Sequence, residues 1–247
     1  REDIPVYSGS EKPLKRDLVK AVVHGESGLE GLDPRNEPNL TGDAVEKILS
    51  IVENNPNKIA LITLGPLTNI AKAIQENPTI MSKLNEIVIM GGAIRVPGNK
   101  NRVAEFNIFV DPEAADIVFR FPIKKTLVPL DACNHVKLSL VDFEQIKNES
   151  LKDPILSMIK PYIENISVDE GVKAALMYDP LTVYSIMNPK ACKKSDYNIL
   201  VETKGEITRG MTVPEFRKSK KEAPNIRVIE KISEKDFKDD FIRILSL

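Results

Sequence analysis

Between Thr41 and Asn54, apolar residues fall at Ala44, Val45, Ile48, Leu49 and Val52, the fourth-position recurrence that gives a helix one apolar stripe. Thr41 or Asp43 is placed to cap its start, and Asn54-Asn55-Pro56 ends it. The period then changes. Ile59 to Thr63 is a continuous apolar run, the pattern of a strand covered on both faces, and Leu64 to Asn69 turns the chain into a helix carrying Ile70, Ala73 and Ile74. A short helical stretch around Met81 follows. Glu86 to Met90 is a second buried run, so two strand-turn-helix units stand in tandem and predict a parallel sheet.

The next helix is predicted from Asp111, with Asp111 as cap, Pro112 in the first helical position and Glu113 suited to the positive end of the dipole. Phe121-Pro122 closes it. Thr126 to Asp131 reads as a further strand, although Pro129 removes a ladder donor. From Ser139 to about residue 188 the spacing is mostly helical. Asn198 to Val201 and Ile207 to Val213 then flank Gly205 like paired strands, Ile226 to Ile229 is a third strand, and Asp236 to Leu245 returns to helical spacing. The expected fold class is α/β, a mostly parallel open sheet with helices on both faces. No composition break or repeat marks a linker, so residues 1–247 are expected to form a single domain.

In such sheets ligands bind beyond the carboxyl ends of the strands, here Thr63 to Asn69, Met90 to Asn107 and Leu130 to His135. The second connection is long for a compact domain and carries Asn99, Glu105 and Asn107. Glu105 and Asn107 are expected on one side of an extended segment, because side chains alternate with period two. One carboxylate and two carboxamides both donate and accept hydrogen bonds, a mix that suits a vicinal diol. Asp179, before Pro180, reads by itself as a helix cap. His24 and His135 are the two histidines and the acid-base candidates of ordinary kind.

Composition narrows the partners. The 35 Lys+Arg nearly balance 36 Asp+Glu, and no basic block is interleaved with aromatics, which argues against nucleic acid. Cys133 and Cys192 fit no CxxC pattern, so neither a disulfide framework nor a zinc site is expected and the cytoplasm is the expected compartment. No apolar run approaches the roughly twenty residues of a membrane span, and Arg1-Glu2-Asp3-Ile4-Pro5 lacks the features of a secretory signal.

His24-Gly25-Glu26-Ser27-Gly28-Leu29, Gly65-Pro66-Leu67-Thr68-Asn69, Met90-Gly91-Gly92, Gly98-Asn99, Ala104-Glu105-Phe106-Asn107, Asp111-Pro112-Glu113-Ala114-Ala115, Asp179-Pro180 and Arg209-Gly210-Met211-Thr212-Val213 occur here in one order. That series resembles the inosine-uridine preferring nucleoside hydrolases across nearly the whole chain. The resemblance implies cleavage of the N-glycosidic bond of a ribonucleoside by water, giving ribose and free base, with a bound Ca²⁺ organising the ribose diol and the water. It implies Thr68, through its backbone carbonyl, and Asp179 as metal ligands. Asn99, Glu105 and Asn107 would hold the ribose hydroxyls, Met90 would line the sugar pocket, and Phe106 and His24 would lie near the base. Asn99, Tyr178 and His24 are the catalytic candidates; Tyr178 stands where many members carry a histidine that protonates the leaving base. A homodimer or homotetramer is implied as well.

The resemblance also implies a difference. The family opens on a strand carrying Asp-Thr-Asp-x-Gly-x-Asp-Asp, source of further metal carboxylates and of the general base, and nothing here matches it. Arg1-Glu2-Asp3-Ile4-Pro5 aligns with the segment after that strand, so an N-terminally truncated fold with very low turnover is the expectation. The alternative reading is a catalytically impaired member that binds nucleoside or ribose, or serves as an assembly partner. Phosphorolysis ranks last, since no glycine loop suited to cradling phosphate is present.

Overall fold

A computed structural model describes residues 3–21, 25, 28, 30–32, 40–217, 219 and 222–247, the side chains of 168–170 apart. In chain order the elements are β1 (Val6–Ser8), β2 (Leu40–Asp43), α1 (Ala44–Asn54), β3 (Ala60–Thr63), α2 (Thr68–Glu76), α3 (Pro78–Met81), β4 (Glu86–Met90), α4 (Phe106–Val110), α5 (Pro112–Arg120), β5 (Lys125–Val128) and α6 (Leu130–Cys133). There follow β6 (Lys137–Leu138), α7 (Leu140–Phe143), α8 (Glu149–Glu170), β7 (Ala175–Leu176), α9 (Tyr178–Met187), a 3-10 turn at Pro189–Ala191, β8 (Cys192–Tyr197), β9 (Ile199–Val201), β10 (Thr212–Pro214), β11 (Ile226–Ile232) and α10 (Glu234–Leu245).

The chain packs as two compact units, one of Arg1–Val19, Pro38–Ala132 and Lys193–Glu230, the other of Lys20–Glu37, Cys133–Cys192 and Lys231–Leu247. The first is built on a five-stranded sheet of order β3-β4-β5-β11-β8, in which β3, β4, β5 and β11 run parallel. Its core joins Val45, Leu49 and Val52 of α1, Ile70 and Ile74 of α2, and Ala114 and Val118 of α5 to Ile87 and Ile89 of β4 and Leu127 of β5. Each fully buried Leu or Ile there contributes about 1.5–3 kcal/mol, which makes this layer the firm base of the loops above it.

The caps follow the predicted chemistry. The Asp43 carboxylate accepts from the N–H groups of Val45 and Glu46 and starts α1. Fully buried Asp111 starts α5 by accepting from Ala114 N–H at 3.0 Å, and its other oxygen accepts from Leu14 N–H at 2.8 Å and the Thr68 hydroxyl at 2.6 Å. Asp111 thereby ties α2, α5 and the N-terminal segment at one point.

Four expectations are corrected. β3 is not covered on both faces: it is an edge strand among the described residues, and Ile62 is 37% exposed. The segment holding Glu105 and Asn107 is not extended, because the Glu105 carboxylate accepts from the N–H groups of Asn107 and Ile108 and so turns the chain into α4. Asp179 is not a cap; Met177 holds that position and Asp179 lies inside the first turn of α9. The strand starting at Ile226 joins β5 in the main sheet rather than the β9–β10 pair, and β8, which carries charged residues at Lys193, Lys194 and Asp196, escapes a hydrophobicity reading altogether.

The second unit collects the predicted helices of 139–188 and the C-terminal helix. Phe237 and Phe241 of α10 stack at 5.3 Å, and Tyr184 of α9 meets Phe237 edge-on at 5.2 Å. Among the described residues no helix is long and apolar enough to cross a membrane.

Candidate active site

The site expected from sequence lies in the first unit, on the long connection from β4 to α4. Parallel strands aim their last carbonyls beyond the sheet, and the loops that leave them must satisfy those groups or offer them to a ligand. At the end of β4, Met90 is buried, and its carbonyl and sulfur both face the Asn107 side-chain amide, at 3.3 and 3.2 Å. The same amide nitrogen reaches the Leu64 carbonyl, at the end of β3, at 3.5 Å. Asn107 thus spans two strand ends with its NH₂ group, which leaves its oxygen as the acceptor it can offer.

Asn99 is oriented in the opposite sense. Its side-chain oxygen accepts from Phe106 N–H at 2.9 Å, so its NH₂ is the group presented, and the residue is exposed. A donor from Asn99 and an acceptor from Asn107 suit sugar hydroxyls, which both accept and donate. Phe106 is half-buried at the start of α4, and the Lys100 ammonium lies 5.9 Å from its ring centre.

Glu105 serves the frame. It is 2% exposed, and its carboxylate accepts from the backbone N–H of Asn107 at 2.9 Å, of Ile108 at 3.2 Å and of Gly92 at 3.1 Å. These bonds weld the exit of β4 to the entry of α4, so that its expected part in holding a ribose hydroxyl falls to whatever capacity the capping leaves. Between the two ends the loop is folded back on itself. The Asn101 side-chain oxygen accepts from Val103 and Ala104 N–H at 2.9 and 2.7 Å, and Lys100 N–H donates to the Ala104 carbonyl at 3.1 Å. Gly98 is required by this return: a Cβ there would come within 2.2 Å of the Ala104 oxygen. A residue that sequence reasoning passed over, Asp131, fastens the loop's outer edge by accepting from Ile94 and Arg95 N–H, each at 2.8 Å. Its signal was its position just past β5, at a strand end.

A cavity of about 560 Å³ opens beside β3, walled by Leu61 to Gly65 and Thr68 on one side and Ser10 to Pro13 on the other. Thr68 borders it as the first residue of α2, with its hydroxyl committed to Asp111. The carbonyls of Leu64, Gly65 and Pro66 precede α2 here, backbone groups for which side-chain identity holds no signal.

Tyr178 and Asp179 belong to the second unit. Tyr178 opens α9 and is half-buried, and its carbonyl accepts from the Thr182 hydroxyl at 3.1 Å. Asp179 retains exposed surface yet is crowded by protein, and burial pushes its carboxyl up to about 6. Asp179 forms no ion pair among the described residues, so a carboxylate held at a cost has no counter-charge of its own there, a condition that a hard cation relieves. Asp179 therefore fits the expected cation. Among the described residues no three His, Cys, Asp or Glu side chains converge as a ready-made ligand set. His24 lies outside the described residues.

The sequence matches the family model described as inosine-uridine preferring nucleoside hydrolase over residues 1–239. It is 35% identical over 248 residues to the pyrimidine-specific ribonucleoside hydrolase RihA of Salmonella paratyphi C, across 97% of this chain and 78% of that protein. Among solved structures, the plant nucleoside hydrolase PpNRh1 is similar with a TM-score of 0.91 at 27% identity, covering 99% of this chain and 81% of the other. The purine-preferring ribonucleoside hydrolase from Gardnerella vaginalis is similar with a TM-score of 0.88 at 26% identity, over 98% of this chain and 80% of that one.

Proposed function

This chain belongs to the inosine-uridine preferring nucleoside hydrolase family, and from that premise we propose how its residues serve the hydrolysis of a ribonucleoside to ribose and free base. The observation that carries the reading is two carboxamides of opposite orientation at the carboxyl end of a parallel sheet, Asn99 offering NH₂ from the braced loop and Asn107 offering oxygen from the first turn of α4. Sugar hydroxyls held by groups fixed in this way cannot rotate freely. As the ribose ring flattens toward an oxocarbenium-like transition state, contacts that tighten with the new geometry lower the barrier, whereas contacts equal in both states do not. Met90 would line the sugar pocket and Phe106 would lie near the base, while Tyr178, of the other unit, is assigned to protonate the leaving base on resemblance alone. His24 is assigned to the base side of the site on resemblance alone.

The family is generally metal-dependent, and Ca²⁺ is the ion proposed here. With six to eight oxygen ligands at about 2.3–2.6 Å, calcium supplies a template for hydroxyls and water. Asp179 is the carboxylate of this chain that would hold it, and Thr68, through its carbonyl, remains the backbone ligand implied by resemblance. The same reading carries a homo-oligomer, dimer or tetramer, and a cytoplasmic location.

The direct test is release of reducing sugar from inosine, uridine, cytidine, adenosine and guanosine, with calcium and with chelator. Ribose should appear from at least one nucleoside only when calcium is present, and Asn107→Ala should lower kcat/KM by about 100-fold or more, the scale of losing a positioned transition-state contact. No sugar from any member of the panel would overturn the reading. Nucleoside binding by calorimetry without turnover would favour the impaired-binder alternative.

A further inference from the structure

In the second unit, α8 runs for 22 residues with two prolines inside it, Pro154 and Pro161. In an unbroken helix the Ser157 carbonyl would be taken by the N–H of residue 161, but proline has no N–H and its ring crowds that carbonyl as well. A glycine lies against it. Gly31 comes so close that an added Cβ would fall 1.9 Å from the Ser157 oxygen and 2.7 Å from its carbon, and Gly31 is held at φ +88°. Only a residue without a side chain meets both the backbone angle and the approach. About two turns further along α8, the Asn165 side-chain NH₂ donates to the Glu30 carboxylate at 2.9 Å.

The neighbours Glu30 and Gly31 are thus docked on one helix by two contacts. Their segment also folds back on itself: Gly28 N–H donates to the Gly25 carbonyl at 3.3 Å, and a Cβ on Gly25 would meet the Glu30 Cβ at 2.7 Å. Glu30 therefore lies against the residue that follows His24. The same helix reaches the other candidates of this unit, because the Tyr162 hydroxyl donates to the Leu176 carbonyl at 3.2 Å, two residues before Tyr178. One helix carries segments next to both sets of residues, which lie far apart in sequence. We propose that Pro161 opens in α8 a seat for Gly31, and that this seat, latched by Asn165 on Glu30, positions the His24-Gly25-Glu26-Ser27-Gly28-Leu29 motif on the base side of the site. The base-side assignment rests on the nucleoside-hydrolase reading, whereas the docking rests on the contacts alone.

The test compares Pro161→Ala, Asn165→Ala and Gly31→Ala with the parent, in the full chain with calcium. One readout is cleavage of the Glu30–Gly31 bond by a glutamate-specific protease, followed by mass spectrometry; with fast reclosing, its rate follows the fraction of chains in which the segment is released. The other is kcat/KM for uridine and for inosine. Asn165→Ala should speed that cleavage at least threefold, the scale of one lost hydrogen bond to a charged group, and the other two variants tenfold or more. kcat/KM should fall about threefold in Asn165→Ala and about 10- to 100-fold in the others, by unequal factors for the two nucleosides because the base side is disturbed. Pro161→Ala restores a helix hydrogen bond, so its denaturant midpoint should be no lower than the parent's while docking and activity are lost, a separation that a merely structural residue does not give. Cleavage of Pro161→Ala at the parent's rate, unchanged kinetics despite faster cleavage, equal losses for both nucleosides, or a loss that only tracks a fallen midpoint overturns the proposal. Should Gly31→Ala fail to fold, the other two variants carry the same expectations and the same overturning results. A parent protein that hydrolyses no nucleoside overturns the underlying reading instead; the seat is then judged by cleavage at Glu30, and equal rates in the parent, Pro161→Ala and Asn165→Ala sink it.

Discussion

Single residues at this site divide between those that hold the frame and those that face outward. Glu105 and Asp111 are both buried carboxylates, and both are engaged by N–H or O–H donors. Asp179 lacks such partners among the described residues, and burial raises it to about 6 from an ordinary value near 3.8. The sign follows directly. A carboxyl raised in the folded state favours folding while it is protonated, and that advantage is lost as pH rises from about 4 through about 6. Metal-free Asp179→Asn should therefore be more stable than the parent at pH 7–8, by about 1 kcal/mol given the open face of the side chain, and the two should converge near pH 4. Chemical denaturation in chelator across that range measures it. A less stable Asn variant at neutral pH would show that the carboxylate has a partner after all.

Elements are placed by a few such anchors. α5 begins where Asp111 meets Ala114, and the same carboxylate receives Thr68 from α2 and Leu14 from the N-terminal segment. Asp111→Ala removes a cap and orphans two further donors, one of them the fully covered hydroxyl of Thr68. The expected loss is about 2–4 kcal/mol, read as a shift in denaturant midpoint with the slope unchanged. Asp111→Asn, which retains one acceptor, should lose less. α4 shows how strongly a cap can override a pattern. Ala104-Glu105-Phe106-Asn107 alternates small, polar, apolar and polar residues as a strand would, but the two N–H groups of Asn107 and Ile108 on the Glu105 carboxylate turn it into a helix start.

For the whole molecule, a ligand that binds the folded chain and not the unfolded one adds RT ln(1 + [L]/Kd) to stability. Calcium at a hundred times its dissociation constant should raise stability by about 2.7 kcal/mol, visible as a rise in Tm that chelator reverses. Magnesium at equal concentration should give a smaller rise, since its tighter octahedral demand suits an adaptable oxygen site less well. Asp179→Asn should abolish most of the calcium effect. An unaltered Tm with saturating calcium, in a chain that still cleaves nucleosides, would remove calcium from the account while leaving the family assignment in place.

Period and punctuation in the sequence by themselves determined the α/β class, most strands and helices, the cap at Asp111, the choice of Thr41 or Asp43 for the cap of α1, and the connection on which the polar cluster sits. Those properties are local: the apolar period selects helix or strand, and a capping carboxylate acts within three residues. The motifs along the chain likewise determined the family. Tertiary structure alone decided that β3 is an edge strand, that β8 and β11 complete the main sheet, and that Glu105 is spent on the frame while Asn99 and Asn107 present opposite hydrogen-bonding groups. It alone joined Thr212 to Ala93 across more than a hundred residues of chain. Such pairings depend on where a distant segment returns and on which backbone groups are left to satisfy. Neither is written in the spacing of side chains.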